Sequence, residues 1–222
     1  MIHNYTLGHL RLTSESNETY KTSKLGDLPS DWEVVQLKEN SSLITNGFVG
    51  KATPYYTDKA EGVKYLQGMN VRRNKIDLRG LTFINEWFHN KQTKTQLKAG
   101  DILTVQSGHI GETAVVTEEL EGSNCHAVII TRLDNDEFNP TFVSYFMNSL
   151  KGQVKMKGIT VGTTVAHINT SELKKFLVPK PALSEQNKIV SRLKQIERAH
   201  ELAKSKSSRQ LNLSKALISK VF

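Results

Sequence analysis

The spacing of apolar residues changes character along the chain. Val63-Lys64-Tyr65-Leu66 alternates and favours extended backbone, which predicts a strand. Ile102-Leu103-Thr104-Val105 is a short apolar run after the turn Gly100-Asp101 and reads as a buried strand. Ser107-Gly108-His109-Ile110-Gly111 is a turn bracketed by glycines, and Thr113-Ala114-Val115-Val116 is the returning strand of a hairpin-like unit. Ala127-Val128-Ile129-Ile130 predicts another strand. Glu33-Val34-Val35-Gln36-Leu37, after the turn Leu28-Pro29-Ser30-Asp31-Trp32, predicts a strand or short helix. After Pro140, apolar residues at Phe142, Val143, Phe146, Met147 and Leu150 recur at helical spacing. Gly47 to Asp58 is a loop by composition, and residues 1–24 are a polar leader, loose or only partly helical. The predicted body is α+β, a mixed globular domain without βαβ alternation.

The last segment is different. Pro179 and Pro181 punctuate the chain, Ser184 stands at an N-cap position, and no Gly or Pro follows up to Phe222. A helix of that length runs about 58 Å at 1.5 Å per residue. Its stripe is Ile189, Leu193, Ile196, Ala203, Leu211 and Ile218, with no apolar residue between Lys204 and Gln210. A single domain cannot cover such a helix, so Leu211, Leu213, Leu217, Ile218 and Val221 call for a helical partner or for a fold-back near Ser207-Ser208. The predicted divisions are a leader at 1–24, a body at 25–181 and a long coiled-coil-like helix at 182–222.

Charge narrows the function. Among 222 residues the formal net charge is +8, and hydrophobic residues make up 37%. A packed core is therefore expected, with an acidic partner, nucleic acid being the commonest. The charges fall in blocks: Lys64 to Lys98 and Lys151 to Lys180 are basic stretches, while the charges of residues 111–140 are acidic except for Arg132. Separate blocks suit one positive face for phosphates. The sequence shows no membrane-length apolar run and no secretory signal. With one cysteine, Cys125, an intramolecular disulfide and a cysteine zinc cluster are both excluded, and a cytoplasmic setting is expected.

Catalytic patterns are missing. There is no HExxH, GxSxG or methyltransferase signature. Gly47-Phe48-Val49-Gly50-Lys51-Ala52 lacks the spacing and hydroxyl of a phosphate loop. Gly108-His109-Ile110-Gly111 fits GXXG without the context of a KH domain. No metal site is expected.

Several segments together resemble the specificity (S) subunit of type I restriction–modification systems. They are Leu28-Pro29-Ser30-Asp31-Trp32; Gly62 to Val71; Leu97 to Gly111 with its Gly-Asp-Ile-Leu core; and His167-Ile168-Asn169 through Val178-Pro179-Lys180-Pro181 into Ser184-Glu185-Gln186-Asn187. The resemblance covers residues 25–222 and implies a non-catalytic subunit. Its recognition domain would read one half of a split double-stranded DNA target. Its helix would dock modification (methyltransferase) subunits, which carry S-adenosylmethionine, and a restriction motor subunit would bring ATP and Mg. The chain itself would hold no cofactor. Family members usually carry two recognition domains and two helices, and here there is one of each. Half-length members are expected to pair antiparallel through the helix, as a homodimer or with a second S chain. Family helices commonly continue past the equivalent of Phe222 into a glycine turn, so a truncated chain is the other expectation.

Chemistry selects the candidate DNA contacts. Lys51, Thr53, Tyr55 and Tyr56 mix a cation, a hydroxyl and aromatic faces on one loop, with the tyrosines either on DNA or packed beneath the loop. Arg72 and Arg73 follow a strand and suit guanine or phosphate. Ser107 and His109 sit in the hairpin turn and serve contact or turn geometry. Lys155, Lys157, Thr163, Thr164 and His167 flank glycines and suit phosphates or a solvated face. Ile189, Leu193, Ile196, Leu211, Leu217 and Ile218 are the candidate helix–helix contacts, the first three with burial against the body as their other reading.

Overall fold

The computed structural model describes residues 2–10, 19–134, 136–162 and 166–221; the side chains of His3 and of the helix beyond Gln210 lie outside that description. Helix α1 (Ile2–Thr6) opens the chain, followed by strands β1 (Tyr20–Ser23), β2 (Gly26–Pro29), β3 (Glu33–Gln36) and β4 (Ser41–Asn46). Next come β5 (Val63–Gln67), β6 (Val71–Arg72), β7 (Lys75–Ile76), β8 (Thr82–Ile84) and helix α2 (Glu86–Lys91). Strands β9 (Ile102–Val105), β10 (Thr113–Val115), β11 (Asn124–His126) and β12 (Val128–Leu133) precede α3 (Pro140–Asn148), α4 (Leu150–Gly158) and α5 (Thr170–Lys174). Strand β13 (Leu177–Lys180) leads into α6 (Leu183–Val221).

Strands β10, β9, β12 and β4 form an antiparallel sheet in that order, and β11, β5 and β8 form a second one with β11 parallel to β5. The unbroken apolar runs of β9 and β12 follow from burial on both faces. Ile102 and Ile129 enter the core beneath α3, while Leu103, Val105, Val128 and Ile130 enter a second core with Leu66 of β5. Strand β5 alternates in the same way, turning Tyr65 into a third cluster with Ile84 and Phe88. The predicted hairpin is present, with Thr113 opposite Thr104.

The predicted helix after Pro140 is two helices. Ser149 is extended and caps α4 by accepting from the Gly152 amide. A Cβ at Gly152 would meet the Phe146 carbonyl oxygen at 2.2 Å, so glycine permits the close crossing of α3 and α4. The start of the leader, residues 2–10, is packed rather than loose: Tyr5 and Leu7 join the main core, because α1 packs on α3 and α6.

Helix α6 has 39 residues and continues without a fold-back through the Ser207-Ser208 position. Its first three turns bury Ile189 and Leu193 at 1% exposure each, with Ile196 packed on the same core. For Ile189 and Leu193 this favours burial against the body over the helix–helix contact, the two readings open for them: they are sealed against their own domain. From Glu197 to Gln210 every residue is exposed. The side chains of Leu211, Leu217 and Ile218 fall outside the described residues. No helix among the described residues is long and apolar enough to cross a membrane.

Candidate nucleic-acid interface

The candidate loops, separated in sequence, are tied together by specific contacts. Lys51 and Thr53 are exposed on a loop that closes in a 3-10 turn, Thr53–Tyr55. Tyr56 follows, 40% exposed, and its hydroxyl accepts from Gln67 Nε2 over 3.3 Å. Gln67 ends β5, and a 3-10 turn at Gly68–Asn70 carries the chain to Arg72 on β6. Arg72 NH1 lies 2.9 Å from His109 Nε2. Ser107 is exposed in the same turn as His109, and the neighbouring Gln106 carbonyl accepts from the Ile168 amide at 2.9 Å. His167, beside Ile168, is exposed and pairs its backbone with Val161. Gln153 Nε2 donates to the Gly111 carbonyl at 2.8 Å, setting α4 and its Lys157 beside the turn. Thr163 and Thr164 lie outside the described residues.

Several candidates are used internally. Tyr55 stacks on Phe88 with ring centroids 4.2 Å apart, so it packs beneath the loop while Tyr56 stays open. Lys155 Nζ donates to the Lys24 carbonyl at 3.0 Å, which ties α4 to the β1–β2 hairpin. Arg73 Nε lies 3.4 Å from Glu112 Oε1, whereas its neighbour Arg72 turns to His109. His109 Nε2 is also 2.9 Å from the Val71 carbonyl. When Nε2 donates to that carbonyl, Nδ1, 3.4 Å from Arg72 NH1, is the ring nitrogen left to accept from the guanidinium. Arg72 is exposed, so the remaining N–H groups of its fork can meet an outside acceptor.

The hairpin carrying Arg72 is held from behind. Asn74 adopts a left-handed backbone at φ 57°. Its Oδ1 accepts from Asn148 Nδ2 at 2.7 Å and from Ser144 Oγ at 3.0 Å. Asn148 also donates to the Thr113 carbonyl and accepts from the Thr113 amide, joining hairpin, sheet and α3 in one buried polar network. On its other side the hairpin borders a groove of about 810 Å³ lined by Arg73, Leu150, Leu193, Ile196 and His200.

Sequence reasoning missed Trp87, which is 56% exposed, and Lys91, whose Nζ sits 4.1 Å from the Trp87 ring centroid. Asn85, capping α2 through the Phe88 amide, and the adjacent Trp87-Phe88 pair were the available signal. Among the described residues no group of three His, Cys, Asp or Glu is placed to hold a metal ion.

The family model described as "Type I restriction modification DNA specificity domain" matches residues 29–213. The chain belongs to this family. This specificity domain is 28% identical over 207 residues to the MjaVIII type I restriction enzyme specificity subunit of Methanocaldococcus jannaschii, covering 91% of the chain and 48% of that relative. It is 21% identical over 206 residues to the EcoBI specificity subunit of Escherichia coli, covering 88% and 42%. The chain therefore spans about half the length of the curated relatives it matches. The fold is that of the HsdS subunit from Thermoanaerobacter tengcongensis, with a TM-score of 0.58 at 18% identity over 83% of the chain and 47% of that structure. A structure titled for complex assembly and conformational transition of the type I R-M system gives 0.62 at 20% identity, over 88% and 46%.

The motifs of the specificity domain have structural duties. Gly100 takes φ 88°, and Asp101, fully buried, accepts from Arg132 Nε and NH2, both at 2.8 Å, and from the Lys98 amide. That pair explains the lone arginine of the acidic stretch. Trp32 donates to Glu185, and Gln186 bridges the Asn139 amide to the carbonyls of Glu137 and Pro181, fixing the root of α6 on the domain.

Proposed function

We propose that this chain is one DNA-reading half of a type I specificity subunit. The observation that carries this is the connected run from Tyr56 through Gln67 and Arg72 to His109 and Ser107, presented by a member of the specificity family. The run gathers a phenol, a guanidinium, an imidazole and hydroxyls suited to base edges, with exposed Lys51 and Lys157 suited to phosphates. Catalysis belongs to partner subunits in this reading: a modification subunit brings S-adenosylmethionine, and a restriction motor subunit brings ATP and Mg. The complex works in the cytoplasm. The exposed stretch of α6 from Glu197 to Gln210 supports pairing with a second S chain, its own copy or another, which restores the second half of a split target.

The test is duplex binding by the full chain across a range of salt, followed by target selection. A steep salt dependence and an enriched half-site are expected. Lys157→Ala should lower the slope of log K against log salt by about 1, as loss of one phosphate contact does, whereas Lys155→Ala should leave it nearly unchanged. Binding without any sequence preference would reject the reading. Light scattering of the full chain beside a variant ending at Glu201, which keeps the buried root of α6, tests pairing: a dimer that becomes a monomer supports it, and a full-length monomer refutes self-pairing.

A further inference from the structure

We propose that Trp87 and Lys91 of α2 form a second, sequence-independent contact with the DNA duplex, Lys91 on a phosphate and the Trp87 ring against the adjoining sugar edge. This rests on the DNA-reading function above and adds residues that lie outside its candidate loops.

Trp87 is a large apolar side chain left 56% exposed on an ordered helix. It is not loosely held. Its ring stacks on Tyr55 with centroids 5.6 Å apart and planes 27° apart. Tyr55 in turn stacks on Phe88 with planes 6° apart, and Phe88 is 3% exposed in the third core cluster. The platform is graded from buried to open, so contact with a partner orders little that is not already ordered.

Two observations favour DNA as the occupant. The first is charge: Lys91 stands over the ring, and Lys51 and Lys94 are also exposed, although Glu86 is an exposed acid on the same helix. An ammonium in a solvent-accessible cation–π contact is held weakly and readily turns to a phosphate. The second is continuity. Tyr55 belongs to the loop of Lys51, Thr53 and Tyr56, and its carbonyl accepts from the amide of Asn85, the cap of α2. The platform therefore prolongs the proposed reading run. Neither side chain offers the paired donor and acceptor needed to distinguish bases, so the contact adds affinity rather than target choice.

The chain holds two tryptophans, and Trp32 is fully buried. Quenching of its fluorescence by acrylamide therefore reports on Trp87. The experiment titrates the full chain with a mixed-sequence DNA duplex at low salt, with binding followed separately by mobility shift. Bound duplex is expected to protect the emission severalfold from acrylamide. Trp87→Phe should abolish the protected signal while still binding. Lys91→Gln should lower the salt slope by about 1 without altering target preference. A chain that shifts the duplex while Trp87 stays open to acrylamide overturns the inference and leaves the DNA reading standing. A chain that binds no duplex overturns both. Protection that grows with protein concentration in the absence of DNA assigns the platform to a protein contact and likewise overturns the inference.

Discussion

The indole nitrogen of Trp32 donates to Glu185 Oε2 across 3.1 Å, joining the entry turn of the domain to the first turn of α6 over 153 residues of chain. Trp32 is fully buried and Glu185 is 7% exposed. Glu185→Leu should cost about 1–3 kcal/mol by leaving the buried N–H without this acceptor. For a chain of this size that lowers the melting temperature by roughly 2–4 °C per kcal/mol. Glu185→Gln keeps an acceptor and should stay near the parent. Thermal unfolding followed by circular dichroism separates the two.

Asn74 supports the arginine hairpin in two ways, through its left-handed backbone and through its ties to Ser144 and Asn148. Asn74→Gly removes the ties and tolerates the backbone. Asn74→Ala removes both supports and should be about 1 kcal/mol less stable than the glycine variant in urea unfolding. Both should weaken duplex binding while leaving the salt slope unchanged, because no phosphate contact is removed.

The two turn glycines should respond unequally to alanine. Gly108 and Gly111 both have positive φ, 80° and 83°. A Cβ at Gly108 meets nothing within 4 Å, whereas one at Gly111 would stand 2.9 Å from the Met156 Cβ. Gly108→Ala should cost about 1–2 kcal/mol from backbone strain. Gly111→Ala adds an overlap costing a further ~1–3 kcal/mol. Equal midpoints in urea would contradict this account.

Burial raises the Tyr145 phenol above its ordinary value, with the hydrogen bond to Glu197 adding to the shift. Burial also raises the Tyr65 phenol and the Cys125 thiol. Groups whose folded values exceed the unfolded ones contribute stability that is complete below the unfolded values and lost as pH rises toward the folded ones. Stability should begin to fall near pH ~8.5, where an unfolded thiol ionises, and more steeply past ~10, where phenols do. Tyr145→Phe should start lower and fall less steeply above pH ~10. On the acid side, burial lowers His89 and His126, so stability should decline as pH drops below ~6.5 through their folded values. Urea midpoints measured across pH check both limbs.

The strands at 63–67, 102–105 and 113–115 and the uninterrupted helix from Leu183 were legible because each is a local pattern: alternation, an apolar run beside a glycine turn, a capped stretch without breakers. The resemblance to the specificity family was legible for the same reason, since its blocks are contiguous in sequence. What faces what was not. Ile189 and Leu193 belong to the same sequence stripe as Ile218, and periodicity alone cannot tell that these two are sealed in their own domain's core. Tyr55 and Tyr56 are neighbours of identical chemistry, yet one stacks on Phe88 and the other opens to solvent. Lys155 is half-buried and donates to a carbonyl of the β1–β2 hairpin, whereas Lys157 is exposed. The pairing of Arg72 with His109, the support from Asn148 and the exposure of Trp87 are each set by residues distant in sequence. The sequence by itself determined the strongly patterned elements, the charge and the family; the tertiary structure decided which chemically equivalent side chains are consumed in packing and which remain for a partner, because burial depends on long-range neighbours that no local spacing records.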